Sequence, residues 1–224
     1  MDIRALSCDV SSEEAKAIQT RLSRDVLRCD QFANEVHHVA GVDVAYDKCG
    51  RRAFAGIVIL DADSFEVVET RTATDRCRFP YVPGLFAFRE LPHLLKCFEQ
   101  VKFAPDLVIC DGQGIAHPRR FGLASHLGVL LDIPTIGCGK TRHVGEYQEP
   151  RMRRGDFSPL VDGDETIGSV LRTQDGIKPL FVSIGHRVSL PSARAWILRL
   201  ASKYRQPEPI RRVNEAVNKL RASS

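Results

Sequence analysis

Long apolar runs are absent from this 224-residue chain. The segment 54–60, among the longest, falls far short of the roughly 18 residues that a membrane-spanning helix needs, so we expect no association with a membrane. The first ten residues have no basic segment followed by an apolar core, and we therefore expect no secretory signal peptide.

Cysteine pairs are absent as well. The seven cysteines are scattered singly with no CxxC spacing, which argues against both a disulfide framework and a zinc site. Hydrophobic residues make up 43% of the chain and charged residues 27%, proportions that are ordinary for a globular protein. We therefore predict a single cytoplasmic domain over residues 1–224, monomeric by default.

A strong net charge is also lacking, but the charge is unevenly distributed. The chain carries +4 overall, of which residues 187–224 carry +7 and the preceding residues −3. A second basic cluster consists of Lys140, Arg142, Arg151, Arg153 and Arg154. This distribution suits a polyanion bound over acidic groups, although a solvated face of a C-terminal helix would give the same pattern.

The pattern of apolar residues predicts a mixed architecture of helices and strands. Ser11 and Glu14 form a capping box before an apolar helical stripe, and three strand-like segments follow at 37–46, 53–60 and 65–74. Because only short turns connect these three segments, they are predicted to form an antiparallel meander.

Beyond the meander, helices and strands alternate, which favours parallel strands. The predicted elements are a helix ending near residue 101, a strand at 106–110, a helix at 122–131, strands at 135–138, 166–172 and 180–184, and helices from about Ser192 and Pro209. This order predicts an α/β fold with a mixed (α+β) sheet of the ribonuclease H-like type. In that fold a three-stranded antiparallel meander is continued by parallel strands, with helices on both faces. Other α+β arrangements fit the same order.

Three acidic residues stand out as candidates for metal binding. Asp43 interrupts an otherwise apolar strand, where an unpaired carboxylate is costly to bury. Asp111 follows a buried strand, at the edge where open α/β sheets bind ligands, and Glu90 lies in the first turns of a helix. If the first meander strand pairs with 106–110, the three carboxylates meet and suit Mg²⁺ or Mn²⁺. The alternatives are a buried ion pair for Asp43, a turn cap for Asp111 and a helix-dipole role for Glu90.

Several longer motifs resemble the endonuclease V family. The matching segments are GVDVAY, PYVPGLFAFRE, the run DLVICDGQGIAHPRRFGLASHLGVLLDIPTIGCGKTR, and FVSIGHRVSL, and the match extends from Asp43 to about Pro209. The resemblance implies a ribonuclease H-like fold and hydrolysis of nucleic acid with Mg²⁺, for which Mn²⁺ can substitute. Cleavage would fall at the second phosphodiester 3′ to (deoxy)inosine and would leave 3′-hydroxyl and 5′-phosphate ends.

The resemblance also assigns roles to individual residues. It implies a catalytic, metal-binding set of Asp43, Glu90 and Asp111, with Lys140 as a catalytic cation that orients the attacking water or neutralises phosphate charge. It implies a wedge, which fills the gap left by an extruded base, formed by Pro80, Tyr81, Val82 and Pro83. It further implies a base pocket and substrate contacts at Gly84, Leu85, Gly112, His117 and Gly122.

One position departs from the family pattern. Where the family commonly has an aspartate or histidine facing the metals, shortly after PEPTR, the segment PEPIRRVNEAVN has Asn214. Asparagine can coordinate through its carbonyl oxygen but brings no charge. The substitution puts the strength of a second metal site and the reaction rate in question, and Asn214 is a candidate near-metal position.

The leading functional hypothesis is a metal-dependent endonuclease of inosine repair that acts on DNA. Within the same fold, the alternatives are inosine-containing RNA as the main substrate and a structure-specific DNA junction. From another class comes a protein that only binds inosine because Asn214 weakens catalysis. A small-molecule phosphatase is disfavoured by the basic C-terminal segment and by the PYVP wedge.

Overall fold

The computed structural model describes residues 10–32 and 35–224, and over these residues it contains eight strands and five α-helices. The strands are β1 (His38–Tyr46), β2 (Arg52–Asp61), β3 (Val67–Arg76), β4 (Leu107–Cys110), β5 (Thr135–Gly139), β6 (Phe157–Asp162), β7 (Glu165–Leu171) and β8 (Leu180–His186). The helices are α1 (Ser12–Leu22), α2 (Phe86–Phe98), α3 (Leu123–Leu131), α4 (Leu190–Leu200) and α5 (Glu208–Ala222), with a short 3₁₀ turn (Ser23–Asp25) after α1.

The strands of the described chain form one mixed sheet in the order β3-β2-β1-β4-β5-β8-β7-β6. The predicted meander is confirmed, because β2 pairs antiparallel with both β1 and β3. The predicted parallel continuation is also confirmed, because β4 pairs parallel with β1 and β5 pairs parallel with β4. The fold is therefore of the ribonuclease H-like type that the element order indicates.

The sheet extends further than the sequence predicts. Beyond β5 it continues with three antiparallel strands, β8, β7 and β6, of which β6 has no counterpart in the predicted elements. Pro159 lies inside β6, and a proline within a strand-like segment argues against a strand unless that strand is at an edge. Because β6 is the outermost strand, the missing amide of Pro159 leaves the ladder with β7 intact.

Helices cover both faces of the sheet, as predicted. On β4, Val108 and Cys110 belong to the core layer beneath α2 and α3, whereas Leu107 and Ile109 belong to the core layer with α4 and the start of α5. This alternation is the period of two that a strand imposes on its side chains. Within the ranges that the structure describes, no helix is both long and apolar enough to cross a bilayer.

The first two helices differ slightly from their predicted bounds. The capping box of α1 is present, with Ser11 and Glu14 bonded reciprocally, but α1 ends at Leu22, so the predicted stripe residue Val26 lies beyond it. Helix α2 begins at Phe86 and ends at Phe98, earlier at its C-terminal end than the predicted residue 101.

A close approach at Gly41 positions the last helix over the sheet. A Cβ atom at Gly41 would lie 2.3 Å from the carbonyl carbon and oxygen of Pro209, so only glycine allows the start of α5 to pack against β1. Further along α5, Val213 and Val217 are buried against Val58 and Leu60 of β2. The helix is therefore held where it crosses the strand that carries Asp43.

Candidate functional site

The pairing of β1 with β4 brings two of the three predicted carboxylates together. The register places Val42 opposite Cys110, and the backbone amide of Asp111 donates a hydrogen bond to the carbonyl oxygen of Val42 at 3.2 Å. Asp43 and Asp111, the next residue on each strand, are therefore neighbours. The third carboxylate, Glu90, enters from the first turns of α2.

The charges of these three residues act on one another. Burial, reinforced by the neighbouring charge of Asp111, raises the pKa of Asp43 above its usual range. Burial and the charge of Asp43 raise the pKa of Glu90 to about 8. The three acids thus form one electrostatic cluster, in which each added negative charge is unfavourable.

Each carboxylate accepts a hydrogen bond from another side chain, and Asp43 accepts a second one from the backbone amide of Val44. Lys140 Nζ donates to Asp111 Oδ2 at 2.6 Å, and Asn214 Nδ2 donates to Asp43 Oδ2 at 2.9 Å. The hydroxyl of Tyr46 donates to Glu90 Oε1 at 3.2 Å. Of the three side-chain donors, Lys140 is the one with a positive charge, so the set of three acids and this lysine has an excess of negative charge.

The chemistry of this donor set fits a divalent cation. Carboxylate oxygens are hard ligands that Mg²⁺ and Mn²⁺ prefer. A divalent ion would offset both the burial and the like-charge repulsion that raise the pKa values of Asp43 and Glu90. The side chains are not arranged as a ready coordination shell, however. In residues 10–32 and 35–224, no three His, Cys, Asp or Glu side chains are grouped so that they could hold a metal ion.

A cleft of about 340 Å³ opens beside the acidic cluster. Many of its lining residues are predicted site residues, namely Gly84, Glu90, Asp111, Gly112, His117, Gly122 and Lys140. The α2 face, the loop after β4, the start of α3 and the loop after β5 each contribute to its walls. Parts of the chain that are distant in sequence therefore meet around one concave space, as ligand sites commonly require.

Other predicted residues lie outside this cleft. Asp43 and Asn214 do not line it and instead contact each other on the α5 side of the sheet. Leu85 is fully buried, and its side chain packs with the apolar residues beneath α1, while its backbone begins α2. Its side chain is therefore part of the core and does not contact the space in the cleft.

The predicted wedge segment forms an exposed turn next to the cleft. Pro80, Tyr81 and Pro83 are exposed, and Val82 packs partly against the core beneath α1. The ring of Tyr81 is 65% exposed and meets the ring of Phe86 edge-on, with 4.7 Å between the centroids. Because Phe86 lines the cleft, Tyr81 stands at its rim.

The carbonyl oxygen of Gly84 is the point at which the cleft wall is held in place. It accepts hydrogen bonds from Gln19 Nε2 at 3.1 Å and from Arg119 Nη2 at 2.7 Å, and it lies 2.9 Å from His117 Nε2. Gly84 has φ of +76°, and a Cβ atom there would lie 2.9 Å from Arg119 Nη2. The position therefore requires glycine for both its backbone conformation and the close approach of the guanidinium.

His117 is a neutral hydrogen-bond donor at this point. Burial, together with the charge of Arg119, lowers the pKa of His117 to about 3. The backbone amide of Arg119 donates to His117 Nδ1 at 3.2 Å, so the single proton of the neutral ring belongs on Nε2, where it donates to Gly84. The ring also stacks on that of His143 at 5.5 Å.

Four polar residues of the cleft, Gln19, Gln113, Thr141 and His143, were not predicted from the sequence, and Arg142 was predicted only as part of the basic cluster. Gln19 had a signal, because it is a polar residue four positions after Ala15 on the apolar stripe of α1, and its side chain is fully buried. Gln113 and His143 lie in loops, where no periodicity marks a residue that faces a cleft.

Replacement of Gln19 tests whether it fixes this wall. Gln19 donates to the carbonyl oxygens of Gly84 and Phe121 and accepts from Arg119 Nε at 2.6 Å. We expect Gln19→Leu to lower the free energy of unfolding by about 2 kcal/mol, measured by urea denaturation, because buried polar groups lose their partner. The control is Thr20→Ala, whose hydroxyl bonds only its own helix and whose loss we expect to stay within about 0.5 kcal/mol. Equal effects of the two changes would contradict this role.

Comparison with known proteins identifies the family of this chain. The family model described as Endonuclease V matches residues 20–215. An endonuclease V of Rippkaea orientalis is 49% identical over 212 residues, which cover 94% of this chain and 92% of that protein. The crystal structure of endonuclease V from Streptomyces avermitilis superposes with a TM-score of 0.90 and 45% identity, covering 96% of each chain.

A more distant structure includes nucleic acid. An endonuclease V of Ciona intestinalis, solved as its D234N variant with a 23mer DNA containing an inosine followed by a ribo-adenosine, superposes with a TM-score of 0.85 and 27% identity. It covers 96% of this chain and 99% of that one. The family match over most of the chain, the shared fold and the acidic cleft lead to one conclusion: the chain belongs to the Endonuclease V family, and it is an endonuclease.

Proposed function

We propose that this protein hydrolyses the second phosphodiester bond 3′ to (deoxy)inosine in a reaction that requires Mg²⁺ or Mn²⁺. The observation that carries the proposal is the meeting of Glu90, Asp111 and Lys140 with a glycine-lined space in one cleft. A phosphodiester needs the charged groups, and a flat base needs a narrow space with backbone walls. The Ciona intestinalis relative, crystallised with inosine-containing DNA, supports inosine as the recognised base.

The metal would be held by Asp43, Glu90 and Asp111. When bound, a divalent ion supplies Lewis acidity that lowers the pKa of water and stabilises charge on a leaving oxygen. The carboxylates themselves provide the negative charge that attracts the ion, and Asn214 can add a neutral carbonyl oxygen close to Asp43. The ammonium of Lys140 can exchange Asp111 for a phosphate oxygen, since it is 40% exposed.

The overall reaction is a hydrolysis. The oxygen of water forms a bond to phosphorus, and the bond between phosphorus and the 3′ oxygen breaks. That oxygen leaves with a proton as a 3′-hydroxyl, and the phosphate stays on the 5′ end of the next nucleotide. Lys140 would neutralise phosphate charge or orient the attacking water, and the position of its ammonium beside Asp111 supports this role.

The cleft also offers groups that can read hypoxanthine. This base has a proton on N1 and an acceptor at O6, so its recognition needs one acceptor and one donor. In the described chain, Gln113 Oε1 is buried in the cleft wall without a hydrogen-bond partner, and it could accept the N1 proton. Adenine has no proton on N1, so this acceptor would be left unpaired and adenine disfavoured.

The proposal also covers the type of nucleic acid and whether the protein cleaves it or only binds it. We favour DNA, with inosine-containing RNA as the alternative. The inosine-binding protein without catalysis is the weaker candidate. The three carboxylates interact electrostatically, and Lys140 bonds Asp111, which supports a catalytic role for the set. Cleavage of end-labelled inosine oligonucleotides, as DNA and RNA and with adenine controls, separates these possibilities when Mg²⁺ is titrated against Ca²⁺.

Removal of one carboxylate charge tests the catalytic proposal. We expect Asp43→Asn and Asp111→Asn to lower the cleavage rate by roughly 100-fold or more in Mg²⁺, because each would remove a charged ligand worth several kcal/mol to the transition state. Binding of inosine DNA in Ca²⁺ should change much less. The control Asp63→Asn removes an exposed carboxylate that pairs with Arg199, and it should leave the rate unchanged. Unaltered cleavage by both site variants would reject the proposed site.

Asn214→Asp tests whether α5 faces the metal. The new carboxylate would replace the amide that donates to Asp43, and the repulsion between the two would be relieved by a divalent ion. We expect Mn²⁺ to bind at least about threefold more tightly by isothermal titration calorimetry, and the metal-free protein to melt at a lower temperature. Asn218→Asp, which adds the same charge one turn further along α5, is the control. Equal Mn²⁺ affinity in the two variants would place residue 214 away from the metal.

Tyr81→Ala tests the wedge. The exposed ring can stack on a base or fill a gap in the strand, contacts worth roughly 1–3 kcal/mol per base. We expect the ratio of inosine to adenine cleavage to fall at least about fivefold while the melting temperature stays the same. Tyr81→Phe should retain the ratio, because it keeps the ring. A ratio unchanged by removal of the ring would show that Tyr81 is only a surface residue.

A further inference from the structure

A second concave surface lies on the same edge of the sheet as the cleft. At the edge where β4 and β5 end, β8 begins, β7 ends and β6 begins, because Gly139 pairs with Phe181 and Leu171 pairs with Leu180 and Phe157. The loops at this edge, together with the connection between α4 and α5, form a concavity of about 510 Å³. We call Arg154, Lys203, Tyr204 and Arg205, which line it, the distal basic surface.

Among the residues that the structure describes, no salt bridge joins a carboxylate to the side chain of Arg154, Lys203 or Arg205. Arg154 Nη2 donates to the carbonyl oxygen of Leu198 at 2.5 Å, and Arg205 Nη2 donates to that of Pro179 at 2.8 Å. The ammonium of Lys203 lies 5.6 Å from the centre of the Tyr204 ring. In contrast, many arginines on the rest of the described surface are paired with acids, among them Arg28, Arg120, Arg187, Arg199, Arg211 and Arg212.

One carboxylate does belong to the concavity. Asp175 accepts a hydrogen bond from the backbone amide of Arg154 at 2.5 Å, and it lies among the three cations of the surface. Three positive groups against one negative group leave an excess of positive charge. A surface with this excess of positive charge attracts a polyanion.

The surface also presents an aromatic ring. Tyr204 is 44% exposed, and the guanidinium of Arg211 lies 4.8 Å from the centre of its ring. Arg211 is in turn held by Glu208, so the ring is supported on one side by a fixed neighbour. An exposed aromatic ring among cations is the combination with which proteins bind single-stranded nucleic acid, because bases stack while phosphates pair.

Arg205 connects this surface to the cleft. Its Nη2 atom lies 3.3 Å from the carbonyl oxygen of Lys140, the residue whose ammonium pairs with Asp111. The distal basic surface therefore adjoins the loop that carries Lys140 into the cleft.

We propose that the distal basic surface binds the part of the nucleic-acid strand that flanks the cleaved phosphodiester. Lys203 and Arg154 contact its phosphates, and a base packs against the ring of Tyr204. This inference rests on the proposed function, because it takes the cleft as the place where the same strand is cut.

Strand length provides the test. Binding is measured by fluorescence anisotropy in Ca²⁺ with single-stranded DNAs that each carry one deoxyinosine. One DNA has flanks of about 4 nucleotides on both sides, and two others have a flank of about 15 nucleotides on the 5′ side only or on the 3′ side only. For the DNA whose long flank reaches the distal basic surface, we expect Lys203→Gln to weaken binding about 3- to 10-fold. The same change should reduce the slope of log affinity against log salt by about 0.7, because one lysine no longer neutralises a phosphate. We expect Tyr204→Ala to weaken binding at least about fivefold, and Tyr204→Phe to restore it.

Short flanks and a matched charge change are the controls. With short flanks on both sides, neither variant should alter affinity or the cleavage rate in Mg²⁺. Lys96→Gln removes one positive charge that is already paired with Asp75, and it should have no effect at either length. Melting curves establish that each variant is folded.

Two results would overturn the inference. Equal weakening with short and long flanks would mean that the substitutions act on the cleft, and unchanged affinity for long flanks would mean that the strand takes another course. The proposed function can fail separately. If the wild-type protein bound inosine and adenine strands equally, inosine recognition would be rejected. If the variants still weakened binding only for the long flank, the role of the distal basic surface would remain supported.

Discussion

Repulsion between carboxylates is the interaction around which this protein is organised. The parallel pairing of β1 with β4 places Asp43 beside Asp111, and α2 adds Glu90 to the same cluster. Burial and like charge raise the pKa values of Asp43 and Glu90, so the arrangement is costly unless something offsets it. The fold supplies Lys140 for Asp111 and two neutral donors for the other acids. This residual negative charge is what a divalent ion would bind.

The surrounding elements serve to hold that arrangement. Gly41 lets α5 approach β1 closely enough for Asn214 to reach Asp43, and the buried valines of α5 keep the helix there. On the other side, Gly84 is the junction where α1, the turn before α2 and the loop after β4 meet. Because its carbonyl oxygen is shared by a buried glutamine, an arginine and a neutral histidine, the cleft wall is set before any ligand binds. Preorganisation of this kind lowers the cost of binding.

The cations of the molecule differ in how they are paired. Many arginines on the described surface are paired with carboxylates, but those of the distal basic surface bond carbonyl oxygens and keep their charge available. The basic residues that make the net charge of the sequence uneven therefore fall into two groups, one paired with acids and one not. Arg211 and Arg212 on α5 are largely neutralised by Glu208 and are structural, as a solvated helix face would be. The loop cations Arg154 and Arg205 bond carbonyl oxygens, which leaves their charge for the polyanion that we propose binds there.

Local residue patterns were sufficient for the capping box, the antiparallel meander and the anomalous acid in β1, because each depends on neighbours within a few residues. They were not sufficient for β6, since Pro159 is compatible with a strand only at a sheet edge, and edge position is a property of the whole sheet. Nor could they show that Leu85 is core while Gln19 lines the cleft. Most of the helices and strands and the three acids can thus be read from the chain alone. Which of them meet follows from the folded arrangement, because side-chain proximity depends on strand register and helix packing between distant segments.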